Sequence, residues 1–258
     1  MSKIGIALSG GGARGFAHLG ILKALEEMGI TISEISGTSA GAIAGAFYCY
    51  GHKPDEILDI VVSTGFLKSV RPAWSWIGLL SMDGFKDVML KYIPENSFES
   101  LKIPLTVAAT EIRLGKVAYF NSGELISRVI ASSAIPALFS PMVSNSHVYV
   151  DGGIMDNLPV RPLVGKCDLI IGSHCNPVEQ RFDIKNAKEV TERSLLIAIN
   201  VNSSFSKAQC NVVIEPPELG KFTTFDLSRG KEIFEIGYKY TKENYKEIDF
   251  QLNQQARA

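Results

Sequence analysis

Two short stretches hold the residues with the greatest chemical reach. Gly37-Thr38-Ser39-Ala40-Gly41 is a Gly-x-Ser-x-Gly pattern. Small neighbours there permit a strained turn between a strand and a helix, lifting the serine hydroxyl to the strand's carboxyl end as a nucleophile. Gly10-Gly11-Gly12-Ala13-Arg14-Gly15 fits Gly-x-Gly-x-x-Gly after a strand and before a helix. Consecutive glycines bring main-chain N–H groups close to a ligand at the positive end of the following helix, which suits a phosphate or an oxyanion equally. Alone, this loop leaves open a nucleotide-binding protein using Gly10–Gly15, with Glu34 roughly 20 residues on as the ribose-binding acid. The serine elbow argues against that reading, because such a fold has no use for Ser39.

A serine nucleophile needs a base. The histidines are His18, His52, His147 and His174, and only His174 follows Asp151 in the Ser, acid, His chain order common in α/β hydrolases. His174 ends an apolar, strand-like run and reads better as a core or strand-end histidine. Asp151 is the other candidate. It sits at the end of a short strand, before Gly152 and Gly153, and carboxyl ends of strands gather the chemistry in parallel-sheet proteins.

The glycine loop, the serine elbow and Asp151-Gly152-Gly153, in this order, resemble the patatin-like phospholipases. Two further stretches are similar to the same family: Ala131-Ser132-Ser133-Ala134-Ile135-Pro136-Ala137-Leu138-Phe139-Ser140-Pro141 and Asp156-Asn157-Leu158-Pro159-Val160. The resemblance covers about Ile4 to Gly172, and the chain's size is similar to that of small bacterial members. It implies a patatin-like three-layer fold and a Ser-Asp dyad, with Ser39 matching the nucleophile and Asp151 the base. It also implies an oxyanion hole from the amides of Gly11 and Gly12, with Arg14 at the family's basic position. Gly10, Gly15, Gly37, Gly41, Gly152 and Gly153 complete the motifs. The implied activity is that of a serine acyl-ester hydrolase on a lipid or fatty-acyl ester: a phospholipase, lysophospholipase or carboxylesterase. The same motifs leave open an acyltransferase or a catalytically idle lipid-binding protein. No cofactor is expected, and no metal-ligand cluster stands out.

These motifs need elements to hold them. Strands are expected at Lys3–Ser9, Ile32–Ser36, Leu105–Thr110, Val117–Asn121, His147–Val150, Leu169–His174 and Val212–Ile214, from short apolar runs bounded by turn residues. Helical spacing marks Phe16–Met28, an Ala/Gly-rich helix to about Tyr50, Pro54–Val62, Phe85–Tyr92 and Glu124–Ser132. It also marks Ala187–Asn200, with Val190, Leu195, Leu196 and Ile199 inward, and an amphipathic closing helix at about 226–245. Strands alternating with helices predict an α/β fold with a mainly parallel central sheet sandwiched by helices, as a single domain over 1–258. Beyond Gly172 no motif is matched.

Composition narrows the function classes. With 26 Lys+Arg against 27 Asp+Glu, the net charge of −1 gives no basic surplus for a nucleic-acid partner. Four cysteines without a Cys-x-x-Cys pair read as free thiols. The apolar run Ile4–Leu8 is too short for a signal-peptide core, so the expected address is cytoplasmic, peripheral to a membrane at most. Phe66–Phe85 holds both tryptophans. It reads either as an apolar flap making transient membrane-surface contact or as a loop packed into the core.

Overall fold

Branched apolar residues between glycine turns become the strands. The computed structural model describes residues 2–63, 71–75, 78–144, 146–179, 187–244, 246, 248 and 249. The strands are β1 (Ile4–Leu8), β2 (Ile32–Thr38), β3 (Arg71–Ser75), β4 (Gly78–Ser81), β5 (Leu105–Glu111), β6 (Lys116–Phe120), β7 (Met142–Ser144), β8 (His147–Asp151), β9 (Leu169–Ser173) and β10 (Val212–Ile214). The helices are α1 (Phe16–Glu27), α2 (Ala40–Tyr50), α3 (Pro54–Ser63), α4 (Asp83–Tyr92), α5 (Leu125–Ser132), α6 (Ala187–Lys207) and α7 (Gly230–Glu243).

The main sheet has the order β10-β9-β1-β2-β5-β8-β7, with β6 also paired to β5. From β10 to β5 every pairing is parallel, whereas β6 and β8 each run antiparallel to β5. For β6 the change of sense follows from chain length. The β5–β6 connection is the short turn Ile112–Gly115, with Gly115 at φ +60, and a parallel partner requires a crossover many residues long.

Alternation along each strand divides the core. Ile6, Leu8, Ile35, Leu169 and Ile171 pack in the main cluster with α1, α2, α3 and α7, while Ala7 and Ile170 pack against Leu158, Val160 and Leu163 on the other face. Ser36 and Thr38 are fully buried on that second face. Their hydroxyls donate to Pro159 O at 2.5 Å and Asp156 O at 2.8 Å, so neither buried hydroxyl is left unsatisfied. These bonds fasten the segment downstream of Asp151 to the strand that leads into Ser39.

Several boundaries depart from the sequence expectation. α6 continues to Lys207, and its apolar residues are not all inward: Val190 and Leu195 are exposed, with Leu196 and Ile199 half-buried. α7 starts at Gly230 because Leu227–Arg229 winds into a tight turn ahead of it. Within Phe66–Phe85, β3 and β4 form an antiparallel pair rather than a loop, tied to the next motif by Leu80 N–H donating to Leu138 O (3.0 Å) and Ser140 N–H donating to Leu80 O (3.1 Å). Residues 66–70 and 76–77, and the side chains of 71–75, 78 and 79, lie outside the described residues, so most of the expected membrane-contact segment does too. Among the described residues no helix is long and apolar enough to cross a membrane.

Candidate active site

Ser39 sits between the end of β2 and the start of α2, at φ 51 and ψ −119. Positive φ strains any residue with a Cβ, at on the order of 1–3 kcal/mol, and such strain persists only where the surroundings over-determine it. Here the Ser39 N–H donates to Ser132 Oγ at 2.8 Å, and Ser132 Oγ–H donates to Ala108 O at 2.6 Å. The turn also closes tightly on its neighbours. A Cβ on Gly41 would lie 2.2 Å from Leu8 O, and one on Gly37 would lie 2.6 Å from Gly41 O, so only glycine fits the elbow against the end of β1.

Asp151 arrives from the other side of β5. Thr38 pairs with Ala108, and Ala109 pairs with Asp151, so β5 acts as a spacer that sets the two residues at the same height. The Asp151 carboxyl lies near enough to Ser39 for the hydroxyl to pull its pKa down. Asp151 accepts the Gly153 N–H at 2.8 Å, while Gly152 packs over Ala108 O. Asp151 is 8% exposed. Burial raises its pKa to about 6, against the opposing pull of Ser39 and Gly153.

The glycine loop supplies the third component. Gly10 N–H donates to Asn157 O (3.0 Å), Ala13 N–H to Thr224 O (2.9 Å) and Arg14 N–H to Gly11 O (3.2 Å), whereas among the described residues the amides of Gly11 and Gly12 carry no hydrogen bond. Gly15 packs against Ala40. Arg14 points inward: Nε and Nη2 donate to Phe222 O at 2.8 and 2.6 Å, and Nη1 to Asn176 Oδ1 at 3.4 Å. It braces the loop against the last third of the chain. Gly12 has φ +57, and a Cβ there would lie 2.4 Å from Thr224 O. We expect Gly12→Val to lower the melting temperature, read by thermal unfolding.

Ser39, Gly12 and Ala40 open onto an apolar cavity of about 230 Å³, walled by Phe16, Leu19, Ile43, Ile57, Leu80 and Leu138 among others. Its lining offers hydrocarbon contact and almost no polar partner, which fits an alkyl chain.

The other sequence candidates lie elsewhere. His174 is fully buried, its Nδ1 2.8 Å from Glu215 Oε1, and its Nε2 has no partner among the described residues. It joins Glu215 and Lys207 and makes no bond to Ser39. Glu34 pairs in register with Gly5 near the start of β1 and is ion-paired to Lys166 and Lys3. It therefore sits away from the glycine turn at the far end of that strand, which removes the geometry of a ribose-binding acid. All four cysteines are free.

Sequence reasoning missed Ser132, Asn157, Asn176, Phe222 and Thr224 as supports of the loop and elbow. Ser132 and Asn157 fall inside the quoted motifs without an assigned part. Phe222 and Thr224 act through main-chain carbonyls, which no side-chain pattern can signal.

The family model described as patatin-like phospholipase matches residues 6–164. The chain is 35% identical, over 69% of its length, to an uncharacterized NTE family protein of Mycobacterium tuberculosis (strain ATCC 25618 / H37Rv), of which it covers 50%. It is 29% identical over 92% of its length to the lysophospholipase NTE1 of Kluyveromyces lactis, covering 19% of that protein. The chain thus spans half the length, or less, of these relatives. Among solved structures, VipD from Legionella pneumophila shares the fold with a TM-score of 0.53 at 16% identity, over 94% of this chain and 66% of that one. With the family model spanning more than half of the sequence and the five motifs in order, the chain belongs to the patatin-like phospholipase family.

Proposed function

We propose that the protein hydrolyses carboxylic esters of lipids, lysophospholipids among them, with Ser39 as nucleophile and Asp151 as its base. The observation that carries this reading is the register across β5 that brings Ser39 beside the buried Asp151, next to two loop amides without a partner among the described residues and at the mouth of an alkyl-sized cavity. The name lysophospholipase borne by the fungal relative supports the substrate class.

The chemistry follows from the parts. The alkyl chain fills the cavity and brings the ester carbonyl carbon to Ser39 Oγ. Asp151 takes the hydroxyl proton as the Oγ–C bond forms, and the carbonyl oxygen becomes an oxyanion that the Gly11 and Gly12 amides are placed to bind. Collapse expels the alcohol with the proton held by Asp151. Water then attacks the acyl-serine, Asp151 removes its proton, and release of the fatty acid regenerates Ser39. A carboxyl near 6 is a better proton acceptor than a solvated one near 4, yet it remains mostly ionised at neutral pH.

The pH dependence therefore has a definite sign. Activity requires ionised Asp151, so kcat/KM on a soluble ester rises with pH, with one inflection near pH 6, and levels off towards pH 8. A fluorophosphonate probe should also label Ser39, identified by peptide mapping. An inflection absent from that range, or a label on another residue, defeats this assignment. A wild-type chain that binds lipid but neither labels nor turns over ester would instead be an idle binder.

A further inference from the structure

In a trans peptide the C=O and the N–H point in opposite directions. The Gly10–Gly11 peptide is trans, so the Gly11 N–H points away from whatever holds Gly10 O. Glycine on both sides makes this plane easy to turn over, because the two dihedrals that carry the flip are unrestricted. Turned over, it would present a carbonyl oxygen in place of the Gly11 amide, and a developing oxyanion would meet a lone pair instead of a donor.

Gly10 O is held from behind the loop. Asn176 Nδ2 donates to it at 2.5 Å and Cys175 Sγ at 3.4 Å. A Cβ on Gly11 would lie 2.4 Å from Cys175 Sγ and 3.0 Å from Asn176 Oδ1, so these two side chains fill the space behind that residue. Among the described residues, Gly12 and Ser39 line the apolar cavity whereas Cys175 and Asn176 do not. Asn176 is buried and fixed at both of its other polar ends: Oδ1 accepts from Arg14 Nη1 at 3.4 Å, and its main-chain O accepts from Asn200 Nδ2 at 2.9 Å. The residue type matters here. A guanidinium only donates and a main-chain carbonyl only accepts, so a side chain bridging Arg14 to Gly10 must accept at one end and donate at the other. An amide does both, and Arg14 fixes which way round it stands.

We infer that Asn176 is a positioning residue for the ester reaction: by holding Gly10 O, itself held by Arg14, it keeps the Gly11 N–H aimed at the oxyanion. The inference deepens the hydrolase reading above and rests on it. Asn176 acts through the Gly10 peptide and does not touch the substrate. Strand order explains how a residue so far along the chain reaches the loop. β9 lies parallel to β1, and Ser9 N–H donates to Ser173 O at 3.0 Å, so the segment after β9 runs alongside the glycine turn after β1.

The test is Asn176→Asp in the full chain, which keeps the side chain's size and its acceptor for Arg14 but puts an oxygen where the donor stood. On a soluble ester kcat should fall by about 10²-fold, the size of losing one oxyanion donor, with KM little changed because the cavity that binds the chain is untouched. Two ligands with the same alkyl chain separate positioning from simple structural support. One is a trifluoromethyl ketone: Ser39 Oγ adds to its carbonyl carbon, the hydroxyl proton passes to Asp151, and the carbonyl oxygen becomes an oxyanion. The other is the alcohol, which fills the cavity without reacting. The ketone should weaken by the factor lost in kcat/KM, while the alcohol binds as it does to wild type. Asn176→Ala, which removes the donor without adding an oxygen, supplies the same comparison if thermal melting shows Asn176→Asp unfolded. Wild-type kcat in either folded variant, or equal losses for the two ligands, would overturn the inference. A wild-type chain with no ester turnover and no fluorophosphonate label on Ser39 defeats the hydrolase reading and this inference with it, whereas an active wild type with unaffected variants defeats this inference alone.

Discussion

Ser39→Ala is expected to lower ester turnover by on the order of 10⁵-fold and to abolish fluorophosphonate labelling, with the fold retained. The size follows from the kind of step lost. Without Oγ no acyl-serine forms, and the loop amides and cavity alone retain only the modest catalysis left to a site deprived of its nucleophile. The fold survives because the elbow is held by main-chain and packing contacts: Ser39 N–H on Ser132, and Gly41 against Leu8. A small secondary effect has a definite sign. Asp151 loses the Ser39 hydroxyl, one of the two influences that oppose burial, so its pKa moves further above about 6. Turnover within tenfold of wild type in a folded variant would place the nucleophile elsewhere.

Asp151→Asn is expected to lower turnover by on the order of 10³-fold or more and, at the same time, to stabilise the protein at alkaline pH. Burial raises this carboxyl from 3.8 to about 6, so the native state holds the proton more tightly than the unfolded chain. Stability is then greatest below the unfolded value and is lost as pH climbs through the folded one. At about 1.4 kcal/mol per pH unit, the ionised group costs roughly 3 kcal/mol at pH 8. The isosteric amide carries no such cost. Thermal unfolding should show the variant melting about 5 °C above wild type at pH 8, with the gap closing near pH 4. Equal gaps at both pH values would show that the carboxylate is not held in a site that penalises its charge. The same substitution tests His174 as the base: its imidazole is engaged by Glu215, so activity should not survive in Asp151→Asn.

Much of this was legible because the chemistry sits in local patterns. Gly37 to Gly41 and Gly10 to Gly15 must be what they are to make their turns. Short apolar runs marked every strand of the main sheet except β7, whose three residues, Met142–Ser144, are too few to show a period. α6 was legible as a helix but not in its facing. Its residues are apolar around much of the circumference, so periodicity chose Val190 and Leu195 as inward when the protein turns them out.

By itself the sequence determined the two glycine-rich turns, the strand–turn–helix units around them and the presence of a serine and an aspartate suited to ester chemistry, since each depends on residues adjacent in the chain. Only the tertiary structure decided that β5 stands between β2 and β8 at the register that brings Ser39 beside Asp151. It also decided that Arg14 faces inward, that main-chain carbonyls of Phe222 and Thr224 hold the glycine loop, and that His174 belongs to Glu215. Those outcomes depend on strand order and on backbone groups that every residue carries alike, and neither is written in side-chain identity.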